Sequence, residues 1–148
     1  MRLLVQRVSR AEVRVDGEVV GAIGTGLLAL LGVGPGDTPA IAEALARRTA
    51  ELRIFADDEG KTNRSIVDVG GSVLVVSQFT LYADTRRGRR PSFIRAASPE
   101  QGEALYRVYA DAVARLGVPV ERGWFGAEMS VELVNEGPFT IWLDTDEG

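Results

Sequence analysis

Ala11-Glu12-Val13-Arg14-Val15-Asp16-Gly17-Glu18-Val19-Val20-Gly21-Ala22-Ile23 reads as a β-hairpin, two runs of strand-forming residues joined by Asp-Gly, the dipeptide that accepts the positive φ angles of a two-residue turn. The chain therefore opens in antiparallel β-structure. Upstream, Leu3 to Val8 extends the strand signal. Downstream, Leu27 to Val33 is an unbroken apolar run between glycines, the pattern of a strand covered on both faces.

Two helices follow from their start signals. Thr38 is placed as an N-cap with Pro39 in the first helical position, and Ile41, Leu45 and Leu52 form one stripe; Leu52 to Phe55 then reads as a short strand. Ser98 with Gln101 has the spacing of a capping box, Pro99 opens the turn, and Leu105, Val108, Tyr109, Ala112, Val113 and Leu116 recur at helical spacing until Gly117 and Pro119 end the helix. Val120 to Arg122, Glu128 to Val134 and Phe139 to Leu143 return to strands, with Met129, Val131 and Leu133 alternating against Ser130 and Glu132. Between the last two runs Gly137-Pro138 reads as an ordinary trans turn, because only about 5% of X–Pro bonds in folded proteins are cis. The element order has few regular βαβ alternations. It predicts an α+β domain with a mixed or largely antiparallel sheet, and disfavours a doubly wound fold.

The chain has 148 residues, 45% of them hydrophobic, enough for one domain spanning 1–148 that buries about two-thirds of its unfolded surface. No apolar stretch is long enough to span a bilayer, and Arg2, Gln6 and Arg7 interrupt the N-terminal apolar residues where a signal peptide would be continuous. The expected setting is the cytosol, without membrane contact. Histidine and cysteine are both absent, which excludes Ser-His-Asp and Cys-His nucleophiles, thiolates and His-bound zinc; no metal or other cofactor is expected. Of the 17 basic residues only Lys61 is a lysine, and it lies in the turn-like Asp57-Asp58-Glu59-Gly60-Lys61. Gly60-Lys61-Thr62 does not complete a phosphate loop, because Phe55 stands where that motif's first glycine belongs. A net charge of −4 argues against a protein that coats nucleic acid nonspecifically. Arg86, Arg87, Arg89 and Arg90 nevertheless cluster around Gly88. Either they hold phosphates by paired N–H donation, or they are a solvated run neutralised by nearby acids.

Two segments break strand rules. Ser72 to Val76 reads as a buried strand that delivers Ser77-Gln78-Phe79-Thr80 at its end, and Asn135-Glu136-Gly137-Pro138-Phe139-Thr140 puts Gly and Pro where a strand should continue. Without a base other than carboxylates, the Ser77 and Thr80 hydroxyls are poor nucleophiles, which favours stabilisation of an oxyanion by backbone N–H groups. The plainer alternative is a strand end whose hydroxyls satisfy nearby backbone.

With Arg2-Leu3-Leu4-Val5-Gln6-Arg7-Val8, Gly71-Ser72-Val73-Leu74-Val75-Val76 and Arg90-Pro91-Ser92-Phe93, the two segments resemble the D-aminoacyl-tRNA deacylases, which hydrolyse the ester joining a D-amino acid or glycine to tRNA. The resemblance runs nearly end to end. It implies a curved, barrel-like sheet with two helices packed on it and an obligate homodimer with active sites at the interface. It implies that Ser77, Gln78, Phe79 and Thr80 form the catalytic segment, with the substrate's terminal ribose hydroxyl assisting hydrolysis. It also implies that Gly137-Pro138 is cis and enters the partner's active site, excluding L-aminoacyl esters by rigid main chain, within the motif bounded by Asn135 and Thr140. Arg7 either matches a position that braces the carbonyls of that cis pair or is a surface charge on the first strand, and Met129 is either pocket wall or core. Phe139 and Glu136 depart from the expected pattern: Phe139 faces either the pocket, restricting substrate size, or the core. The aminoacyl-tRNA partner is expected to meet the protein at Arg86, Arg87, Arg89 and Arg90. A noncatalytic RNA- or protein-binding module and a small-molecule esterase are the alternatives.

Overall fold

The computed structural model describes residues Met1–Gly148. Its centre is a 14-residue strand, β1 (Arg2–Val15). Asp16 and Gly17 take φ values of 51° and 81° and turn the chain into β2 (Glu18–Ile23), as the Asp-Gly pair predicts. β3 (Gly26–Gly32) pairs with the first half of β1 on the edge where β2 pairs with the second half. One long strand thus carries two shorter neighbours and bends between them. β6 (Ser72–Ser77) runs parallel to β3, and β7 (Val120–Arg122) runs parallel to β6. β8 (Ser130–Asp144) lies antiparallel along the other edge of β1.

The sheet curls until its far strands nearly meet. A Cβ on Gly21 of β2 would lie 2.6 Å from the Arg122 carbonyl oxygen of β7, so this approach demands glycine. The result is a nearly closed, barrel-like mixed sheet. Val8, Ala11, Val13, Ile23, Leu28, Leu74 and Val76 fill its inside, with Met129, Val131 and Leu133 packed against them. Leu3, Val5, Leu27, Ala29, Leu31, Val73 and Val75 face outward into a larger core with the helices. Leu27 to Leu31 and Val73 to Val76 are therefore apolar without alternation because both faces are covered.

The helices are α1 (Pro39–Glu51) and α3 (Pro99–Arg115). Thr38 caps α1 as predicted, accepting from the Ile41 N–H at 3.3 Å. For α3 only half of the predicted capping box forms: Ser98 Oγ accepts from the Gln101 N–H. The Gln101 side chain instead donates to the carbonyls of Pro35 and Asp37 at 2.9 and 3.3 Å, where loop carbonyls lacked donors. Leu116 ends outside the stripe, 42% exposed. A third, one-turn helix, α2 (Ile66–Val69), carries the complete capping box, Ser65 with Asp68.

Two strand expectations are corrected. Leu52–Phe55 is not a strand: β4 is only Phe55–Ala56, paired with β5 (Thr62–Arg64), because Leu52 caps α1 and Ile54 turns into the core. The two runs flanking Gly137-Pro138 are one strand, β8, and the Gly137–Pro138 bond is cis.

Candidate active site

At its C-terminal end β6 stops pairing with β3 after Ser77, and the Gln78 N–H closes on the Leu31 carbonyl at 2.7 Å. The chain then winds into a 3₁₀ turn, Phe79–Tyr82, held by Leu81 N–H to Gln78 O at 3.2 Å and Ala83 N–H to Thr80 O at 3.0 Å. A helical turn leaves its first N–H groups unpaired. Here those belong to Phe79 and Thr80, which donate to no protein acceptor. The Gln78 amide reaches the Thr80 hydroxyl, and neither Ser77 nor Thr80 hydrogen-bonds to a carboxylate.

A cleft of about 520 Å³ opens beside this turn, lined by Ser77, Gln78, Phe79, Phe93, Phe125 and Met129 among others. Phe79 and Phe93 meet edge to face, their centroids 5.0 Å apart, and wall one side. Met129 serves both predicted roles, lining the cleft and touching the barrel core. Thr80 stands outside the lining. Behind the lining residue Phe125, 6.0 Å away between ring centroids, lies Tyr106, which the helical stripe omitted: its hydroxyl donates to Val75 O at 3.1 Å and Gly123 O at 3.4 Å. Burial pushes this phenol up to about 12, so it remains a donor. Its signal in the sequence was a tyrosine next to an otherwise apolar stripe.

The second segment is a wide bulge. Gln6 pairs with Thr140 and Val8 with Asn135, leaving four residues, Glu136 to Phe139, opposite Arg7 alone. Side chains close its base: Asn135 Nδ2 donates to Thr140 Oγ1 at 2.9 Å, and the Phe139 N–H donates to Asn135 Oδ1 at 3.0 Å. Gln6 donates to the same threonine hydroxyl. Arg7 donates from Nε to the Glu136 carbonyl at 3.2 Å and from Nη1 to the Ile54 carbonyl at 2.5 Å, which ties the start of the bulge to the chain after α1 without a bond to the Gly137 or Pro138 carbonyl. Phe139 is half-buried under the Arg7 guanidinium, 4.8 Å away, and packs on the main core. Of its two predicted placements it takes the second. Glu136, Gly137 and Pro138 are exposed and do not line the cleft of their own chain.

The arginine cluster forms the tip of a hairpin closed by reciprocal Asp84–Ser92 backbone hydrogen bonds of 2.8 and 2.9 Å. This hairpin joins Phe79 to Phe93 and so projects from the rim of the cleft. Arg86 grips Asp84 with two donors, at 2.9 and 2.7 Å, and holds that carboxyl well below the usual carboxylate range. Arg87, Arg89 and Arg90 are exposed and make no ion pair. Lys61 is a surface residue beside Glu59. No group of three or more acidic side chains is placed to hold a metal, and no helix is long and apolar enough to cross a membrane.

The family model described as D-Tyr-tRNA(Tyr) deacylase matches residues 4–144. The D-aminoacyl-tRNA deacylase of Roseiflexus castenholzii is 63% identical over 98% of this chain and 92% of its own length. That of Thermomicrobium roseum is 61% identical over 99% and 96%. Among solved structures, the c-Myc DNA Unwinding Element Binding Protein superposes with a TM-score of 0.92 at 39% identity, covering 98% of this chain and 99% of its own. A probable eukaryotic D-amino acid tRNA deacylase superposes with a TM-score of 0.83 at 20% identity, over 96% and 97%, and speaks for the fold.

Proposed function

The chain belongs to the D-Tyr-tRNA(Tyr) deacylase family, and we propose that it hydrolyses the ester of D-aminoacyl-tRNA at the 3₁₀ turn after β6. The observation that carries this reading is the pair of unpaired N–H groups on Phe79 and Thr80 beside an apolar cleft. Water adds to the ester carbonyl carbon, the carbonyl oxygen becomes an oxyanion accepting from these amides, and the bond from carbon to ribose oxygen breaks. The ribose oxygen takes a proton, leaving the free amino acid and tRNA. A fixed donor of this kind is worth about 10² to 10³ in rate, and no histidine is required. The terminal ribose hydroxyl of the substrate assists the proton transfer.

Selection for D-substrates, and tolerance of glycyl-tRNA mischarged on tRNA(Ala), rest on the β8 bulge. Gly137 brings no Cβ, so main chain can stand against the substrate's α-carbon. A projecting L side chain then meets backbone, while a D side chain points away. The bulge is exposed and does not line its own chain's cleft, which supports donation to a second copy in a homodimer. Arg87, Arg89 and Arg90 at the cleft rim suit the phosphates of tRNA, and translation places the reaction in the cytoplasm.

A second reading, nucleic-acid binding without turnover, draws on the name of the 39% identical solved structure. Paired assays with D-Tyr-tRNA and L-Tyr-tRNA decide between them. The expected outcome is rapid loss of the D ester with the L ester intact. Hydrolysis of both removes the exclusion mechanism, and salt-sensitive binding with hydrolysis of neither establishes the second reading.

A further inference from the structure

The 3₁₀ turn ends as abruptly as it begins. Its carbonyls need donors, and the Leu81 carbonyl would ordinarily accept from the Asp84 N–H. That N–H is committed elsewhere, to the Ser92 carbonyl at 2.8 Å, where it closes the arginine hairpin. Arg2 supplies the missing donor from the start of β1, which pairs with Gly32 at the same end of the sheet as the C-terminus of β6: its Nη1 lies 2.8 Å from Leu81 O. The guanidinium is itself fixed on every side. Nε donates to Asp144 Oδ2 at 3.2 Å, the Tyr82 ring lies 4.4 Å from its central carbon, and the Trp142 ring lies 5.8 Å away. The Arg2 and Asp144 side chains are 17% and 6% exposed, so the pair is shielded from solvent screening.

We propose that Arg2 is a positioning residue for the oxyanion donors. By holding the carbonyl end of the turn it sets the direction of the Phe79 and Thr80 N–H groups at the other end. A four-residue turn has no length over which to absorb a displaced end, and a misplacement of about 1 Å can cost on the order of 10² in rate. A cation at the carbonyl end also suits the turn's dipole. The inference rests on the deacylase reading only for its catalytic consequence; the placement of the turn is testable without it.

Four variants separate positioning from stability. Arg2→Met removes the Leu81 donor and strands a buried carboxylate, so its fold is at risk. Arg2→Met/Asp144→Asn removes both charges and is expected to fold. Asp144→Asn alone keeps the Leu81 bond. With D-Tyr-tRNA, the double variant is expected to lower kcat about ten- to a hundredfold with KM within twofold, Asp144→Asn to stay within about threefold, and Arg2→Lys to recover part of the loss because its ammonium can donate to Leu81 O but lacks the fork that also holds Asp144. In parallel, amide exchange at Leu81, Tyr82 and Ala83 should quicken at least tenfold in the double variant relative to Asp144→Asn. A double variant with wild-type kcat and exchange overturns the proposal, as does Asp144→Asn losing as much kcat as the double variant. If wild-type protein hydrolyses no D-aminoacyl-tRNA, the deacylase reading fails, and the exchange rates alone decide whether Arg2 holds the turn.

Discussion

Phe79–Tyr82 and Glu136–Phe139 are both four-residue interruptions at strands, and both offer bare main chain, yet they are supported in opposite ways. The first grows out of β6, whose Val73 to Val76 are buried on both faces. Its amides are placed by the barrel core, with Arg2 and the Leu31 carbonyl fixing its ends. The second projects from an edge strand, and only side chains hold it: Asn135 and Thr140 across its base, Arg7 beneath it. Backbone held by a core is rigid by default, whereas a projecting loop has few buried contacts and is only as ordered as its staples. The bulge should therefore be the more fragile region to point substitutions, although it is the more exposed.

Gly137→Ala tests that difference most severely. The new Cβ would sit 2.7 Å from Arg7 Nη2 and 3.3 Å from the Phe139 nitrogen, at a φ of 124° that L side chains rarely adopt. Activity on D-Tyr-tRNA is expected to fall about a hundredfold or more through misplacement of the bulge, with circular dichroism unchanged. Normal turnover would show that the bulge tolerates displacement. Arg7→Ala removes two charge-assisted bonds, each worth about 1.5–3 kcal/mol where buried and less here. Thermal unfolding should shift down by several degrees, with roughly tenfold loss of activity on the same misplacement grounds.

Arg87, Arg89 and Arg90 changed together to Ala should raise KM for tRNA and leave kcat unaltered. The slope of log affinity against log salt should flatten by about two to three, at roughly 0.7–0.9 per lost phosphate contact. An unchanged slope assigns the phosphates to another surface. Thr80→Ala should be mild, keeping activity within about tenfold, since an amide rather than the hydroxyl serves the oxyanion. A total loss would move the chemistry to the side chain. The smallest effect concerns pH. The Arg86 guanidinium depresses the Asp84 carboxyl, so the pair's contribution is present above the unfolded carboxylate value and is lost only as pH falls through the lower folded one. Carboxyl NMR of Asp84 should accordingly stay flat from about pH 8 down to about pH 3, where a free aspartate would already have titrated, and a titration near 4 would show the pair to be open.

Much of this was legible in residues taken a few at a time. Asp16-Gly17 marked its hairpin, Thr38 and Pro39 their helix start, and the apolar runs of β3 and β6 their burial on both sides, because each signal is local or a matter of simple periodicity. Ser77 to Thr80 stood out for the same reason, as polar residues ending a buried strand. What escaped depended on distant partners. Gln101 abandons its capping box for carbonyls of the loop before α1, Tyr106 leaves the helical stripe to reach Val75 and Gly123, and β8 runs through Gly137-Pro138 because β1 offers it a continuous edge on either side. Arg2 gave no sign of its tie to Leu81, 79 positions away.

Composition excludes histidine and cysteine chemistry, while turn residues and periodicity mark the hairpin, the buried strands, the two long helices and the two segments that break strand rules, since these signals act over short spans. Long-range packing curls the sheet nearly closed around a second small core and raises a hairpin of arginines from the cleft's rim. The same packing sets Arg2 beneath the 3₁₀ turn and Arg7 beneath the bulge. Such placements follow from packing between residues far apart in the chain, and no local pattern encodes which distant carbonyl will be left needing a donor.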